Sequence, residues 1–559
     1  MSAPRLVVAV AAAAMLVRMM TVLAAPGDGA SPRMNVVLVT VDCLRPDRLG
    51  HAGHRGAATP NLDRFAGEAV EFADARATAP WTLPALVSLL TGAYPSSHGM
   101  DARGRSIADI PHLPKILQGV GYRVPALATV TRQPGMEALQ VEGPAFESPE
   151  TDVGQHLIEW LRTRGRGAEP FFAWDHWRAL HLPYDAGPDG GDGTPGIPDT
   201  PGVRQVRTCI VIPAELQSFI PSERDAVVRL YDAELERVDA AFGRLLATLE
   251  AAQLAGRTVV VVTADHGEEL FDHGLLGHAS TTERATLYDE VLRVPLLLRI
   301  PGVGRQVVGC PVSQVDLMPT LLPLLGLDAP PGVEGIDLGP LLRGGSCPTR
   351  ALFAESLEGG YQAWGPSARR FLWAVLDDGV KLIERRSWDG EVQRELYRLA
   401  DDPGERRDLS VGEPEAVAAL AELLAAHVAS HGGPDAWKRP LVETTPEQRD
   451  RPRHLRRATV PRFLEPEDDE RVSFADRGGR LAARWTGSPV VRYVVEYDVG
   501  EEPSRLRGTF EVAGTEVAYG PFSADMWSGM AQLNPWRFRV WPKADPQRAS
   551  EWVVVRLEP

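Results

Sequence analysis

The sequence predicts an α/β protein built on a buried, mostly parallel central sheet. Two apolar runs carry that prediction, Met34-Asn-Val-Val-Leu-Val-Thr-Val-Asp42 and Thr258-Val-Val-Val-Val-Thr-Ala-Asp-His-Gly267. Neither alternates polar with apolar residues, which is the habit of strands covered by helices on both faces. Amphipathic stretches between them mark helices over 152–164 and 222–252. Both strands end in acids, Asp42 in the first and Asp265-His266 in the second. In open α/β sheets, ligands bind outside the carboxyl ends of the strands.

Between these strands lies Ala79-Pro-Trp-Thr-Leu-Pro-Ala-Leu-Val-Ser-Leu-Leu-Thr-Gly-Ala-Tyr-Pro-Ser-Ser-His-Gly99. An extended lead gives way to an apolar helix, Leu83 to Leu90, which Thr91-Gly92 stops. Pro84 sits in the first turn, where its missing N–H is no loss. Thr82 then falls at the N-cap, beside unpaired backbone donors. A capping threonine is the plain reading. Next to two acid-bearing strand ends, the same hydroxyl also reads as part of a metal site.

The remaining elements follow in order. Thr59 to Phe72 reads as a surface helix with the stripe Leu62, Phe65, Ala66 and Ala69. Gly121 to Val130 reads as a further strand. Pro170-Phe-Phe-Ala-Trp-Asp-His-Trp177 is an aromatic strand running into His181-Leu-Pro-Tyr184. Residues 185–205, rich in Gly, Pro and Asp, form a loop. Gly277-His-Ala-Ser280 lies in a polar loop, Val294 to Ile300 is another buried strand, and Val315 to Leu325 is an apolar helix. Phe371 to Leu376 and Val380 to Glu384 pair as a hairpin around Asp377-Asp-Gly379. Glu413 to Ser430 closes the domain as a helix.

Residues 432–470 have linker composition, with proline, the basic run Arg449 to Arg457, and acids from Glu465 to Glu470. Beyond them, 480–485, 491–497, 535–541 and 551–556 read as strands of a β-sandwich module over 471–559. At 559 residues the chain exceeds one ordinary core. Its net charge of -16 argues against nucleic acid as a partner. Residues 1–33 read as an export signal: Arg5 precedes the apolar run Leu6 to Val17, which is too short to span a bilayer. The expected location is therefore the periplasm or the exterior, or the cytoplasm if translation starts at Met34. Four cysteines, Cys43, Cys209, Cys310 and Cys347, fit no zinc spacing, and nothing selects a disulfide pair among the last three.

Five further motifs join the strand ends: Val41-Asp-Cys-Leu-Arg-Pro-Asp-Arg-Leu-Gly50, Thr59-Pro-Asn-Leu-Asp63, Leu287-Tyr-Asp-Glu290, Val312 to Thr320 and Asp401-Asp-Pro-Gly-Glu405. In this order, over about 34–430, they resemble the sulfatases of the alkaline phosphatase superfamily. The resemblance implies a three-layer sandwich around a large, mostly parallel sheet, with a small antiparallel subdomain, over 34–431. It implies one divalent cation (Ca, Mg or Mn) on Asp42, Asp265, His266 and Thr82. It also implies catalytic roles for Thr82, His181 and His278, the last at the leaving oxygen. The final module resembles fibronectin type III and is expected to bind a protein or a glycan.

The departures bear on the chemistry. Sulfatases carry Cys or Ser, converted to formylglycine, where this chain has Thr82, and an Arg where it has Leu86. Cys43 stands at a second metal-binding Asp, and Ala179 at a sulfate-holding Lys. The expected substrate is a small-molecule, glycan or lipid ester of sulfate or phosphate, and no membrane span is expected. A threonine-dependent phosphotransferase and an inactive binding protein are the alternatives.

Overall fold

The computed structural model describes residues 33–558 apart from 101–109, 134, 143–151, 164–166, 168, 185–195, 199, 213, 215–216, 218, 283, 361–369, 433–462, 486–491, 501–505, 514–515, 520–521 and 544–548. Residues 1–32 of the expected export signal and most of the expected linker lie outside the described residues. The chain divides into two compact units, one of residues 1–197 and 220–442, the other of 198–219 and 443–559.

Seven strands make the central sheet of the first unit: β1 (Asn35–Val41), β2 (Val70–Arg76), β3 (Phe172–Trp177), β4 (Thr258–Ala264), β5 (Arg293–Val294), β6 (Leu296–Arg299) and β7 (Gln306–Ser313). Their order is β3-β1-β4-β6-β2-β5, with β7 also on β2. β3, β1 and β4 are parallel, but β6 runs antiparallel to both β4 and β2. Five strands, β1, β2, β3, β4 and β7, thus run one way as expected, and β5 and β6 run against them, a direction that an apolar run such as Leu296-Leu-Leu does not state. Every residue of β1 and β4 is buried, which is what their unbroken apolar runs require.

Helices α1 (Pro60–Ala66), α2 (Thr82–Thr91), α3 (Gln155–Thr163), α4 (Pro221–Ala251), α5 (Leu317–Leu324) and α6 (Pro414–Ser430) match expected elements. Three expectations change. The stretch 185–205, expected as a loop, enters a helix at Pro201–Thr208, whose N-cap Thr200 accepts from the backbone N–H of Val203. The helix expected to reach Phe72 ends at Ala66, and Val70-Glu71-Phe72 joins β2 with alternating burial. The strand expected over 121–130 reduces to two bridges, Arg123 to Phe171 and Ala126 to Trp174. Pro125 between them has no N–H to continue a ladder.

The expected hairpin belongs to a four-stranded antiparallel sheet, β8 (Leu352–Leu357), β9 (Arg370–Asp377), β10 (Val380–Ser387) and β11 (Val392–Arg398). Its two-residue turn has φ of 46° at Asp378 and 73° at Gly379, the left-handed pair that such tight hairpins need. Trp373, Leu382 and Leu396 pack against Leu420, Leu424 and Val428 of α6. Burying side chains of this size contributes about 1.5–3 kcal/mol each.

The second unit has a three-stranded sheet, β12 (Phe463–Glu465), β14 (Leu481–Trp485) and β17 (Glu516–Tyr519). Its five-stranded sheet contains β13 (Glu470–Ser473), β15 (Arg492–Val499), β16 (Leu506–Ala513), β18 (Trp536–Pro542) and β19 (Val553–Glu558). β14, β15, β18 and β19 are the four expected strands; β12, β13, β16, β17 and the helix Ala524–Ala531 go beyond them, and β13 pairs parallel to β19. A cavity of about 500 Å³ inside this unit is lined by Val495, Phe510, Trp536 and Phe538, among others.

Candidate active site

The parallel register decides which side chains meet. Val41 pairs with Ala264 and with Trp177, so Asp42, Asp265 and Arg178 emerge side by side from three strand ends. Gln314 fixes the end of β4 by donating to the carbonyls of Ala264 (2.9 Å) and Asp265 (2.6 Å). Asp265 Oδ1 accepts from the backbone N–H of His266 (2.8 Å) and of Cys43 (3.3 Å). Asp42 Oδ1 takes the Cys43 thiol at 3.2 Å.

His266 Nδ1 donates to the carbonyl of Gly267 at 2.7 Å. A carbonyl only accepts, so Nδ1 carries the proton and Nε2 presents its lone pair to the pocket. That Nε2 lies 3.3 Å from Asp265 Oδ2, 3.5 Å from Asp42 Oδ1 and 3.4 Å from Thr82 Oγ1. Asp42, Asp265 and His266 are all fully buried, and their donor atoms lie within 4.8 Å of one another. Asp42 Oδ2 and Asp265 Oδ2 have no hydrogen bond. Buried carboxylate oxygens facing a bare nitrogen, with no donor between them, fit a cation. This convergence is the one expected from the sequence.

Thr82 differs from expectation by one position. Trp81 holds the N-cap and Thr82 is the first residue of α2. Its hydroxyl faces His266 from a partly exposed position at the helix start, while Leu83 through Thr91 are buried.

His181 and His278 complete the wall. Their rings lie 5.0 Å apart, and His278 is 4.4 Å from the His266 ring. His181 Nδ1 donates to the carbonyl of Leu182 at 2.6 Å. His278 Nδ1 contacts Glu268 Oε1 at 2.9 Å, leaving Nε2 buried without a hydrogen bond. Burial keeps both rings neutral, lowering His181 to about 4 and His278 well below 6.5.

The acids diverge. Burial, then the neighbouring Asp42, pushes Asp265 well above the usual carboxylate range. Burial also opposes ionisation of Asp42, but His181, His176 and His266 together hold it well below. Burial raises Glu268 to about 7.

Three polar residues of the pocket escaped the sequence reading. His176 Nε2 lies 3.4 Å from Asp42 Oδ2, its Nδ1 contacting Thr40 Oγ1 at 3.0 Å. Glu268 follows His266 by two residues and accepts from Tyr184 at 3.3 Å. Arg178, half exposed, brings Nε to 3.6 Å from Asp42 Oδ2. The cation found wanting at Ala179 therefore stands one residue earlier. Two Asp-x-x-x-His spacings in the sequence, Asp47 to His51 and Asp152 to His156, lie elsewhere: Asp47 binds Arg45, His51 faces Asp63 and Glu71, and Asp152 binds Arg244.

A family model described as Sulfatase matches residues 34–327, and one described as N-sulphoglucosamine sulphohydrolase, C-terminal, matches 277–430. The chain is 27% identical over 345 residues to an ulvan-active sulfatase of Formosa agariphila, covering 55% of this chain and 65% of that one. Arylsulfatase A of Bos taurus is 26% identical, over 72% of this chain and 89% of its own. Among solved structures, a 2-O GAG sulfatase superposes with a TM-score of 0.58 at 21% identity, covering 75% of this chain and 96% of the other. A phosphonate monoester hydrolase of Agrobacterium radiobacter gives 0.54, also at 21% identity, over 71% and 96%.

Proposed function

The chain belongs to the sulfatase family, and on that premise we propose that it hydrolyses sulfate esters, or related phosphate esters, with Thr82 as nucleophile. One observation carries the reading: the Thr82 hydroxyl, partly exposed, lies 3.4 Å from His266 Nε2 at the edge of a buried Asp-Asp-His cluster. Asp42, Asp265 and His266 are the residues to hold one divalent cation. Such an ion polarises an ester oxygen and acidifies a hydroxyl beside it.

The chain's own residues do the rest. Thr82 Oγ1 attacks sulfur or phosphorus, a new O–S or O–P bond forms, and the bond to the alcohol oxygen breaks. The proton lost by Thr82 is the one the alcohol gains, relayed by the neutral imidazole of His181. Water then attacks the same sulfur or phosphorus, the bond to Thr82 Oγ1 breaks, and the proton lost by the water is passed through His181 to Thr82 Oγ1, restoring the hydroxyl. Arg178 and the first backbone N–H groups of α2 hold the anionic oxygens.

Thr82 stays a hydroxyl, because formylglycine arises only from Cys or Ser. A threonine ester must leave by attack at sulfur or phosphorus, a step the formylglycine hydrate avoids. Phosphate esters gain more from a cation and a helix N-terminus, since their transition state carries more charge near those groups.

The ulvan-active and GAG relatives point to a sulfated glycan as one substrate class, and the phosphonate monoester hydrolase to phosphorus esters. A disulfide joins Cys310 to Cys347, which supports export to an oxidising compartment. No helix among the described residues is long and apolar enough to cross a membrane. The strand-rich residues 471–559 are assigned ligand binding and no part in the chemical step.

The test is kcat/KM for matched aryl phosphate and aryl sulfate esters. Phosphate is expected to be the faster, and Thr82→Ala to abolish both. Activity that survives the alanine would show that another group attacks.

A further inference from the structure

We propose that Cys43 is a ligand of the same ion, which makes the pocket a site for a thiophilic transition ion of the zinc class rather than for calcium. The inference rests on the reading that Asp42, Asp265 and His266 hold a cation.

Cys43 directly follows Asp42 and is fully buried. Its φ of 63° is left-handed, a conformation in which non-glycine residues are uncommon. Its Sγ lies inside the pocket, 3.2 Å from Asp42 Oδ1 and 3.6 Å from His278 Nδ1. Cys43, His266 and His278 form a second group of donors within 4.8 Å of one another, sharing His266 with the two aspartates.

A separate observation points to a ligand there. His278 is 2% exposed, and its Nε2 makes no hydrogen bond. With Nδ1 turned to Glu268, Nε2 is left with its lone pair free, the arrangement that orients a metal-bound imidazole.

The donor chemistry selects the ion. Calcium takes six to eight oxygen ligands, and magnesium near-octahedral oxygen. Two carboxylates, two imidazoles and one thiol offer mixed O, N and S donors, the set that zinc accepts. On ligation the S–H bond gives its proton to the buffer, and the sulfur keeps the electron pair that it shares with the ion. This departs from the Ca, Mg or Mn expected from the sequence, in which Cys43 stands at a second metal-binding Asp.

The experiment uses full-length protein stripped with a chelator and titrated with Co²⁺ as a spectroscopic probe. The expected result is one equivalent of cobalt, with visible d–d bands and a near-ultraviolet thiolate-to-cobalt band. Cys43→Ser should keep the visible bands, lose the near-ultraviolet band and weaken zinc at least about tenfold, with little change for manganese. Cys43→Ala gives the same readout without a hydroxyl, and circular dichroism verifies that both variants fold. Cobalt bound without the sulfur band, or a band that survives both substitutions, overturns the Cys43 assignment and leaves the carboxylate site standing. No binding of cobalt, zinc or manganese by the wild type overturns both.

Discussion

At the small antiparallel sheet of the first unit, Lys381 Nζ lies 2.8 Å from both Asp289 Oδ1 and Glu405 Oε1. Arg76 reaches the same Asp289 at 2.8 Å and Asp74 at 2.6 Å. In the pocket beyond β1 and β4, the carboxylates of Asp42 and Asp265 are as deeply buried, yet among the described residues no lysine contacts them and the half-exposed Arg178 approaches Asp42 Oδ2 only to 3.6 Å. The first cluster sets two cations against Asp74, Asp289 and Glu405. Burial opposes ionisation of Asp289, but Lys381 and Arg76 hold it well below the usual range. Burial raises Glu405 to about 7, so that two charges of each sign are nearly matched. The second sets Asp42 against Asp265, so burial and like charge push Asp265 up. Residues of similar kind therefore do different work. A cluster whose charges are matched holds the fold together, and one left short of positive charge is built to receive it.

Substitutions test that contrast. Lys381→Met should cost about 3–5 kcal/mol, because it leaves Asp289 and Glu405 buried without their shared cation. Thermal melting should fall sharply while metal affinity per folded molecule stays unchanged. An unshifted melting curve would mean the matched cluster is not structural. Asp265→Asn should do the reverse. Metal affinity should drop by more than the ~10–100-fold that loss of a supporting residue costs. The metal-free protein should melt no lower than wild type, since the change removes repulsion with Asp42. Calorimetric titration and melting of the stripped protein measure both. A large loss of metal-free stability would place Asp265 among the structural charges.

The smallest effect concerns a histidine that does have its partner. His431 Nε2 pairs with Glu334, and that contact raises His431 from 6.5 to about 8. A raised histidine stabilises fully below pH 6.5, and the benefit is lost as pH climbs through 8. Melting temperature should thus decline slightly between pH 6.5 and 8, and His431→Gln should flatten the decline. A wild-type curve already flat over that window would remove His431 as its source.

Much of the site was legible because its residues sit where two strong local signals end. Unbroken apolar runs locate β1 and β4, and Asp42, Asp265 and His266 simply follow them. Thr82 was legible from the proline and glycine that bound its helix. What stayed hidden depends on neighbours. His176 and Arg178 matter only because β3 lies parallel to β1 in the register that pairs Val41 with Trp177. No property of 170–178 states which strand stands beside it. The direction of β6 escaped for the same reason, and so did the grouping of residues 198–219 with 443–559. Cys43 was visible at the position of a second metal-binding Asp, but sequence alone does not show where its sulfur points.

The reading of the unmatched pocket depends most on Thr82. Acid quenching during steady-state turnover of an activated aryl phosphate, followed by peptide mass spectrometry, tests it directly. The account predicts one phosphoryl group on the peptide that holds Thr82, lost when the metal is removed first and absent in Thr82→Ala. Undiminished turnover with no such adduct, or an adduct on a different residue, would contradict it.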